Sequence, residues 1–493
     1  MKEANPVASG GQSGLFGRGM LYVVVWSLQL VAGTVISPVL AHLLGPTQFG
    51  ALASAIALHQ VLSVLALLGL DQALVLQRAE DSDSSRARGL VMVGISFSLV
   101  VAIVVGATAP LWRDALGFGD FQALVVVVVL WTAPAAAVQI MLALLLTEDR
   151  LRPFAIVSGI SAVGGQVVGI ALLLGVHNDA TTYAWGGVAS QFAAMVIGIA
   201  VTRPSLRGLI DWTVTWRAVR LGVPLALGGL AYFVLNAGDR IIIQSLLGAE
   251  EVGRYQVAYV VGSVVLLLLT FTSSAWSPRF AALRDERARR DLAAESRDEL
   301  YRLLLPVILG VTLGAPVVLR IVAPASFRPE SLTIVVFLVA LCAFPVATSG
   351  ATGRLLIILR RGKTVGLLSG IVALVNVGLN FALVPVMGIA GAAVATLVAY
   401  LLLSVLQLIA LPREPRLAAP SAGLVLAIGL AIGVSAATMF LPDTPEWNIA
   451  RFVVAVCCLP WFFLRLRRAR RGPSTGRLRR GVQTPTATRW SSQ

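Results

Sequence analysis

Charge is what this sequence has least of. Only 13% of its 493 residues are Asp, Glu, Lys or Arg, against roughly 25% in soluble domains. Hydrophobic residues make up 57%, and the mean hydropathy is +0.85. A water-soluble fold has no surface on which to place that surplus, so the composition implies a chain solvated by lipid. Cysteine is scarce too. Cys342, Cys457 and Cys458 all lie in apolar runs, which excludes a disulfide framework and a Cys-rich metal site. Long polar stretches are missing, and with them any sizeable extramembrane domain. No cleavable signal peptide is visible: residues 1–18 are polar and Gly/Ser-rich, and the apolar run that follows is long enough to stay as a span.

What is present is a train of apolar runs. A helical span needs about 20 mostly apolar residues. The runs predict an all-α integral membrane protein of about fourteen transmembrane helices, at 19–43, 47–70, 89–111, 121–147, 154–176, 183–202, 221–247, 252–277, 303–323, 331–353, 364–386, 388–411, 419–440 and 449–464.

The net charge of +15 invites a nucleic-acid reading, but the placement of the charges opposes it. Of the 39 Lys and Arg residues, 33 fall at the N-terminus, in alternate connections and in the tail. Five (Arg113, Arg254, Arg320, Arg328 and Arg451) fall in the other connections or in the span ends beside them, and Arg240 alone lies deep inside a span. Positive charge is retained on the cytoplasmic side, so both termini are expected in the cytoplasm and no nucleic-acid partner is expected. The longest connection, 278–302, mixes Arg with Asp and Glu and reads as a solvated surface helix. The basic tail from Arg465 reads as a segment held near anionic lipid.

Two connections echo each other. Leu43-Leu44-Gly45-Pro46-Thr47-Gln48-Phe49-Gly50 joins the first two spans, and Leu246-Leu247-Gly248-Ala249-Glu250-Glu251-Val252-Gly253 joins the seventh and eighth, 203 residues on. Gly187-Val188-Ala189 and Gly391-Ala392-Ala393 match at an offset of 204, and Ser158-Gly159 and Ser369-Gly370 at 211. Three matches in order predict two six-helix bundles, 1–211 and 212–416, followed by two further helices in 417–464 and a cytoplasmic tail at 465–493. Both echoed connections face the same side, so the halves are expected to be parallel repeats about a pseudo-two-fold axis along the membrane normal, as in several transporters.

The Gly14–Gly19 run, the Leu43–Gly50 connection, and Leu235-Asn236-Ala237-Gly238-Asp239-Arg240 followed by Leu246-Leu247-Gly248 resemble the polysaccharide transporter, or oligosaccharide flippase, family. That family shares a superfamily with multidrug and toxin extrusion proteins. The resemblance spans the chain to about residue 464. It implies two six-helix bundles facing a cavity, and transport of a lipid-linked oligosaccharide across the bacterial inner membrane. Polysaccharide-assembly membrane proteins are the implied partners.

Polar residues deep in lipid are expensive, each charge costing about 2.5–3.5 kcal/mol at a helix centre. In span seven, Asn236, Arg240 and Gln244 recur at i, i+4 and i+8 with Asp239 beside them, so they share one helix face. That face either forms a cavity wall for a polar or anionic substrate or locks span seven to a neighbouring helix. Asn376 and Asn380 in span eleven read as cavity lining or as interhelical hydrogen bonding. Gln29 and Gln60 sit mid-span and are cavity candidates. His59 is the one mid-span histidine, suited either to proton coupling, with Asp239 as a second exchanger, or to a satisfied core position. Asp71 and Arg78, at the inner end of span two, read as a cytoplasmic gate or headgroup contact, or as ordinary loop charges. Gly362-Lys363-Thr364 resembles the end of a phosphate-binding loop, but that pattern requires glycine where Ile357 stands. Bound ATP is therefore not expected, nor any cofactor or metal.

A flippase for lipid-linked oligosaccharide is the function these features favour. An ion-coupled exporter of organic cations is the alternative within the transporter class. A membrane-embedded polymerase or glycosyltransferase is disfavoured, because the outer connections are too short for a domain. The protein is not expected to be an enzyme.

Overall fold

The computed structural model describes residues 12–81, 84–283, 285–412 and 417–470, with 12–32, 81, 271–279, 281–282 and 468–470 described by backbone alone. The described residues form helices and no strands: α1 (Gln12–Leu67), α2 (Leu70–Asp81), α3 (Ser84–Trp112), α4 (Gln122–Thr147), α5 (Leu151–Gly159), α6 (Gly165–Gly175), α7 (Ala180–Thr202), α8 (Trp212–Leu247), α9 (Ala249–Ala282), α10 (Glu286–Val322), α11 (Thr333–Leu341), α12 (Ala343–Ile358), α13 (Gly362–Met387), α14 (Ile389–Ala410), α15 (Ala422–Ala437) and α16 (Pro445–Arg470). Helices dominate because hydrocarbon offers no partner to a free backbone N–H or C=O.

Thirteen described stretches are long and apolar enough to cross a membrane. The first, Gly33–Leu67, is broken at Gly45 (φ 69°, ψ 173°), so it belongs to two passes and the total is the expected fourteen. Span five is continuous but carries one π-helical turn, Ile160–Gly164, between α5 and α6. Spans eleven and twelve part at Gly388, which has φ 62°.

The echoed connections turn alike and meet each other. Gly248 has φ 88° and ψ 173°, close to the backbone of Gly45. This left-handed region admits glycine without strain. Gly50 and Gly253 then pack backbone on backbone. A Cβ on Gly50 would lie 1.8 Å from the Ala249 carbonyl oxygen, and one on Gly253 would lie 2.1 Å from the Pro46 carbonyl oxygen. Residues 46 and 249 are separated by the same 203 positions as residues 50 and 253. The contact is therefore reciprocal, as a two-fold relation between the repeats requires. A hydrophobic core surrounds it with side chains of both repeats, Phe49, Leu52, Tyr255 and Phe327 among them.

At the other end of the second span the repeats touch again. A Cβ on Gly69 would come within 2.2 Å of the Gly222 carbonyl oxygen, on the first turns of α8. The two repeats thus meet at a glycine seam near each end of the second span.

The last two helices pack chiefly on α10. Thr312 and Ser435 oxygens lie 2.9 Å apart, and Arg320 donates to Asp443 at 2.9 Å. The segment read as a solvated connection is only partly so. α10 starts at Glu286 and runs unbroken into the membrane. Its Arg290 and Arg297 are buried, donating to the Pro412 and Ala418 carbonyls at 3.1 and 2.8 Å. Periodicity marked the polar residues of this helix, but not that one face would carry the link between α14 and α15.

Candidate functional site

The polar stripe of α8 divides into two layers. In the deeper layer Asp239 and Arg240 are 2% and 5% exposed. The Arg240 Nη1 donates to Asp239 Oδ1 at 2.6 Å and to the Asn236 carbonyl at 2.5 Å. Its Nε donates to Gln256 Oε1 at 3.1 Å. The Tyr255 hydroxyl donates to the second Asp239 oxygen. The guanidinium lies 3.9 Å from the ring centroid of Tyr259, a distance at which the ring's negative face attracts a cation. Tyr255 and Tyr259 lie one turn apart on α9 with Gln256 next to Tyr255, so the pair is satisfied by the adjacent helix. A charge pair buried this way is held because either charge alone would be stranded in apolar surroundings.

The shallower layer opens onto a cavity of about 550 Å³. Tyr232, Asn236, Tyr259, Ser263, Ser349 and Tyr400 are among the side chains that line it. The Tyr400 hydroxyl donates to Asn236 Oδ1 at 2.9 Å, and Asn236 Nδ2 donates to the Tyr232 carbonyl at 2.7 Å. Tyr259 belongs to both layers, with one face on Arg240 and the side chain among those lining the cavity. Arg240 therefore stands one aromatic ring behind the cavity surface.

A second cavity of about 620 Å³ runs between α9, α10 and α16 and is almost wholly apolar, with Val264, Gly310, Val318, Phe452 and Cys458 in its walls. Thr34 of α1 lines both cavities, so they adjoin.

The remaining candidates are dispersed. Gln244 is taken up in joining the halves: its Nε2 donates to the Gly117 carbonyl at 2.8 Å, and it accepts from Ser54 Oγ at 3.2 Å. Asn376 and Asn380 are buried in α13 and bond to each other, Asn380 Nδ2 donating to the Asn376 carbonyl at 2.9 Å. Asn376 Nδ2 and Asn380 Oδ1 are left without a partner, and neither residue lines the 550 Å³ cavity. His59 stacks on Trp131 with centroids 4.4 Å apart, and its Nε2 is 3.5 Å from Ser63 Oγ. Gln60 is half-buried beside it. The side chain of Gln29, and residues 471–493 of the basic tail, lie outside the described residues.

Asp71 sits in the first turn of α2, beside the Gly69–Gly222 seam. Burial pushes its carboxyl pKa up, and backbone N–H groups of Gln72 and Asp71 offset part of that shift. Arg78, at the far end of the same helix, points into a separate cleft. Sequence reasoning missed the tyrosines. The Tyr255-Gln256-Tyr259 spacing was readable as a polar stripe on span eight, and Tyr400 as an isolated hydroxyl in span twelve.

Two helical repeats that meet at two glycine seams, with a cavity of mixed polar and apolar lining set chiefly in the second repeat, define a polytopic membrane protein of two bundles. A family model described as polysaccharide biosynthesis protein matches residues 39–330, more than half of the sequence, and the chain belongs to that family. Among curated proteins it is similar to the succinoglycan biosynthesis transport protein ExoT of Rhizobium meliloti (strain 1021), 25% identical over 300 residues. That match covers 58% of this chain and 59% of the relative's length. Among solved structures it resembles the lipid II flippase MurJ in an inward closed conformation, with a TM-score of 0.67 and 15% identity, covering 91% of this chain and 99% of that one. It also resembles an inward-facing multidrug resistance MATE family transporter of the MOP superfamily, with a TM-score of 0.58 and 14% identity, covering 83% and 96%. At these identities the two structures establish the fold alone, an all-α fold of two bundles.

Proposed function

We propose that the protein is a flippase that moves a lipid-linked oligosaccharide or polysaccharide precursor from the cytoplasmic to the outer leaflet of the bacterial inner membrane. The observation that carries this reading is the junction at Thr34 of a cavity that offers polar side chains with a groove that is almost wholly apolar. A lipid-linked sugar has the same two parts: a head that hydrocarbon excludes, and a tail that need not leave it. Asn236, Ser263, Ser349 and the tyrosine hydroxyls offer donors and acceptors to sugar hydroxyls. Arg240 behind Tyr259 is neutralised by Asp239, so the wall meets the head through hydrogen bonds rather than net charge. The groove on α16 takes the tail, which gives the two additional helices a role.

Translocation proceeds by alternating access between the halves 1–211 and 212–416. In this scheme the Gly50–Gly253 and Gly69–Gly222 seams part in turn. Both termini lie in the cytoplasm, following the arginine distribution. His59 and Asp239 are the groups proposed to exchange protons with a driving gradient. Polysaccharide-assembly membrane proteins are the proposed partners, and anionic lipids the surface for the basic tail. The reading rests on family membership and on the ExoT relative's description as a succinoglycan biosynthesis transport protein.

One observation favours a second reading. The cavity wall carries Tyr232, Tyr259 and Tyr400, and aromatic faces attract organic cations. Against it, the Tyr259 face is already occupied by Arg240, and no acidic side chain is among the lining residues. Reconstitution in vesicles decides between them. Protein-dependent movement of a labelled lipid-linked oligosaccharide head across the bilayer is expected. Uptake of an organic cation with no head-group movement would replace the flippase by an exporter.

A further inference from the structure

A second constellation gathers at the Arg78 end of the first repeat, away from the polar cavity. Arg78 from α2, Arg88 from the start of α3, Glu148 and Arg150 from the α4–α5 connection, and Arg203 just past α7 surround a cleft of about 680 Å³. Four guanidinium groups thus share one carboxylate. Arg88 Nη2 lies 3.7 Å from one Glu148 oxygen and Arg150 Nη1 lies 3.4 Å from the other. Arg150 also donates to the Val201 carbonyl at 3.0 Å.

Ordinary helix capping accounts for part of this. The C-terminal ends of α4 and α7 carry partial negative charge that attracts cations, and the Arg150–Val201 bond is of that kind. Capping does not account for the rest. Arg78 Nη1 and Arg88 Nε are both shielded from solvent, and neither has a hydrogen-bond partner. A buried donor left unpaired is costly, more so when charged, so these two donors leave the cluster around the cleft short of acceptors. The loops that aim the site are strained as well. Asp149 and Arg203 have φ of 52° and 49°, a region non-glycine residues seldom occupy. Arginine forks match the tetrahedral oxygens of a phosphate, and several forks around one point fix it in place.

We propose that this cleft binds a phosphate group, presented by an anionic lipid headgroup of that leaflet or by a soluble phosphate. The cleft shares no lining residue with the 550 Å³ cavity, and the proposal does not depend on the flippase reading.

The test uses the full-length protein in a neutral detergent, titrated calorimetrically with inorganic pyrophosphate and, separately, with short-chain phosphatidic acid. Saturable binding of either ligand is expected. Arg78→Gln or Arg203→Gln should weaken it about tenfold or more, the loss of a charge-assisted hydrogen bond. Glu148→Gln removes the competing carboxylate and should tighten it. Arg152→Gln, an exposed neighbour outside the cleft, should leave it unchanged. Pyrophosphate that binds and displaces the lipid identifies a soluble source, whereas binding of phosphatidic acid alone identifies a headgroup site. Absence of binding by both, equal weakening by Arg152→Gln, or unchanged or weaker binding in Glu148→Gln would overturn the proposal.

Discussion

Gly50 and Gly253 lie backbone against backbone, and each holds in its own repeat the position the other holds in its partner repeat. No side chain larger than hydrogen fits at either place. At this end the repeats therefore meet main chain on main chain, where packing is tightest and least tolerant of added volume; in the proposed scheme this contact closes the pathway.

Gly253→Leu should force this end apart. A cysteine at Ser54, which lies just below the seam and donates to Gln244 at 3.2 Å, would then be labelled by an impermeant thiol reagent much faster than in the parent carrying the same cysteine. Labelling at the parent rate would show that the seam does not seal the pathway.

Arg240 and Asn236 should separate by their effects on stability. Arg240→Ala leaves Asp239 buried without its cation, a loss of about 3–5 kcal/mol for a broken buried pair. Yield and melting temperature should fall together with transport. Asn236→Ala touches the cavity face and should reduce transport with the melting temperature within about 1–2 °C of the parent, because only half-buried polar contacts are lost. The double substitution Asp239→Asn with Arg240→Gln should recover much of the stability lost in Arg240→Ala. A stable Arg240→Ala protein would place that charge in solvent.

The groove on α16 should discriminate by tail length. Gly310 faces Ala455 and Cys458, with a Cβ position 3.6 Å from each, so Gly310→Phe would fill the groove there. Vesicle assays should show translocation of a long-chain carrier falling several-fold, and a short-chain analogue affected less. Equal loss for both chains would remove the groove from the tail's path.

Asp71 gives a pH dependence with a definite sign. Its folded-state pKa is raised above the ordinary 3.8 by burial, so the folded chain favours the neutral carboxyl more than the unfolded chain does. The charged form penalises folding above the raised pKa, and the penalty disappears as pH falls through that value toward 3.8. Asp71→Asn should therefore raise thermal stability at neutral pH, and the gain should shrink in acid. A gain that persists unchanged below the ordinary carboxylate range would assign the effect to something other than ionisation.

Arg297 should anchor the appended helices. Arg297→Ala removes the bond to the Ala418 carbonyl and should cost about 1–3 kcal/mol. Limited proteolysis near residues 412–421 should speed up, while the first repeat keeps its protease resistance. Unchanged cleavage would mean that α15 and α16 are held by apolar packing alone.

Much of this was legible in one dimension because lipid simplifies the physics. A bilayer demands about 20 apolar residues per pass and no free backbone polar groups, so the apolar runs alone determined the fourteen passes and their helical form. The repeat was legible because Gly45 and Gly248 must adopt a backbone angle that other residues resist, which preserves the same local pattern twice. Helical periodicity likewise placed Asn236, Arg240 and Gln244 on one face. What that face meets was decided only by tertiary structure: periodicity states which residues point together and is silent about the neighbour they point to. Packing handed Arg240 to Tyr259 and Gln256, gave Gln244 to the seam between the halves, and left Asn236 to the cavity. The Arg78 cleft could not be read from the sequence either, since its side chains come from four separate helix ends that converge only when the first repeat closes.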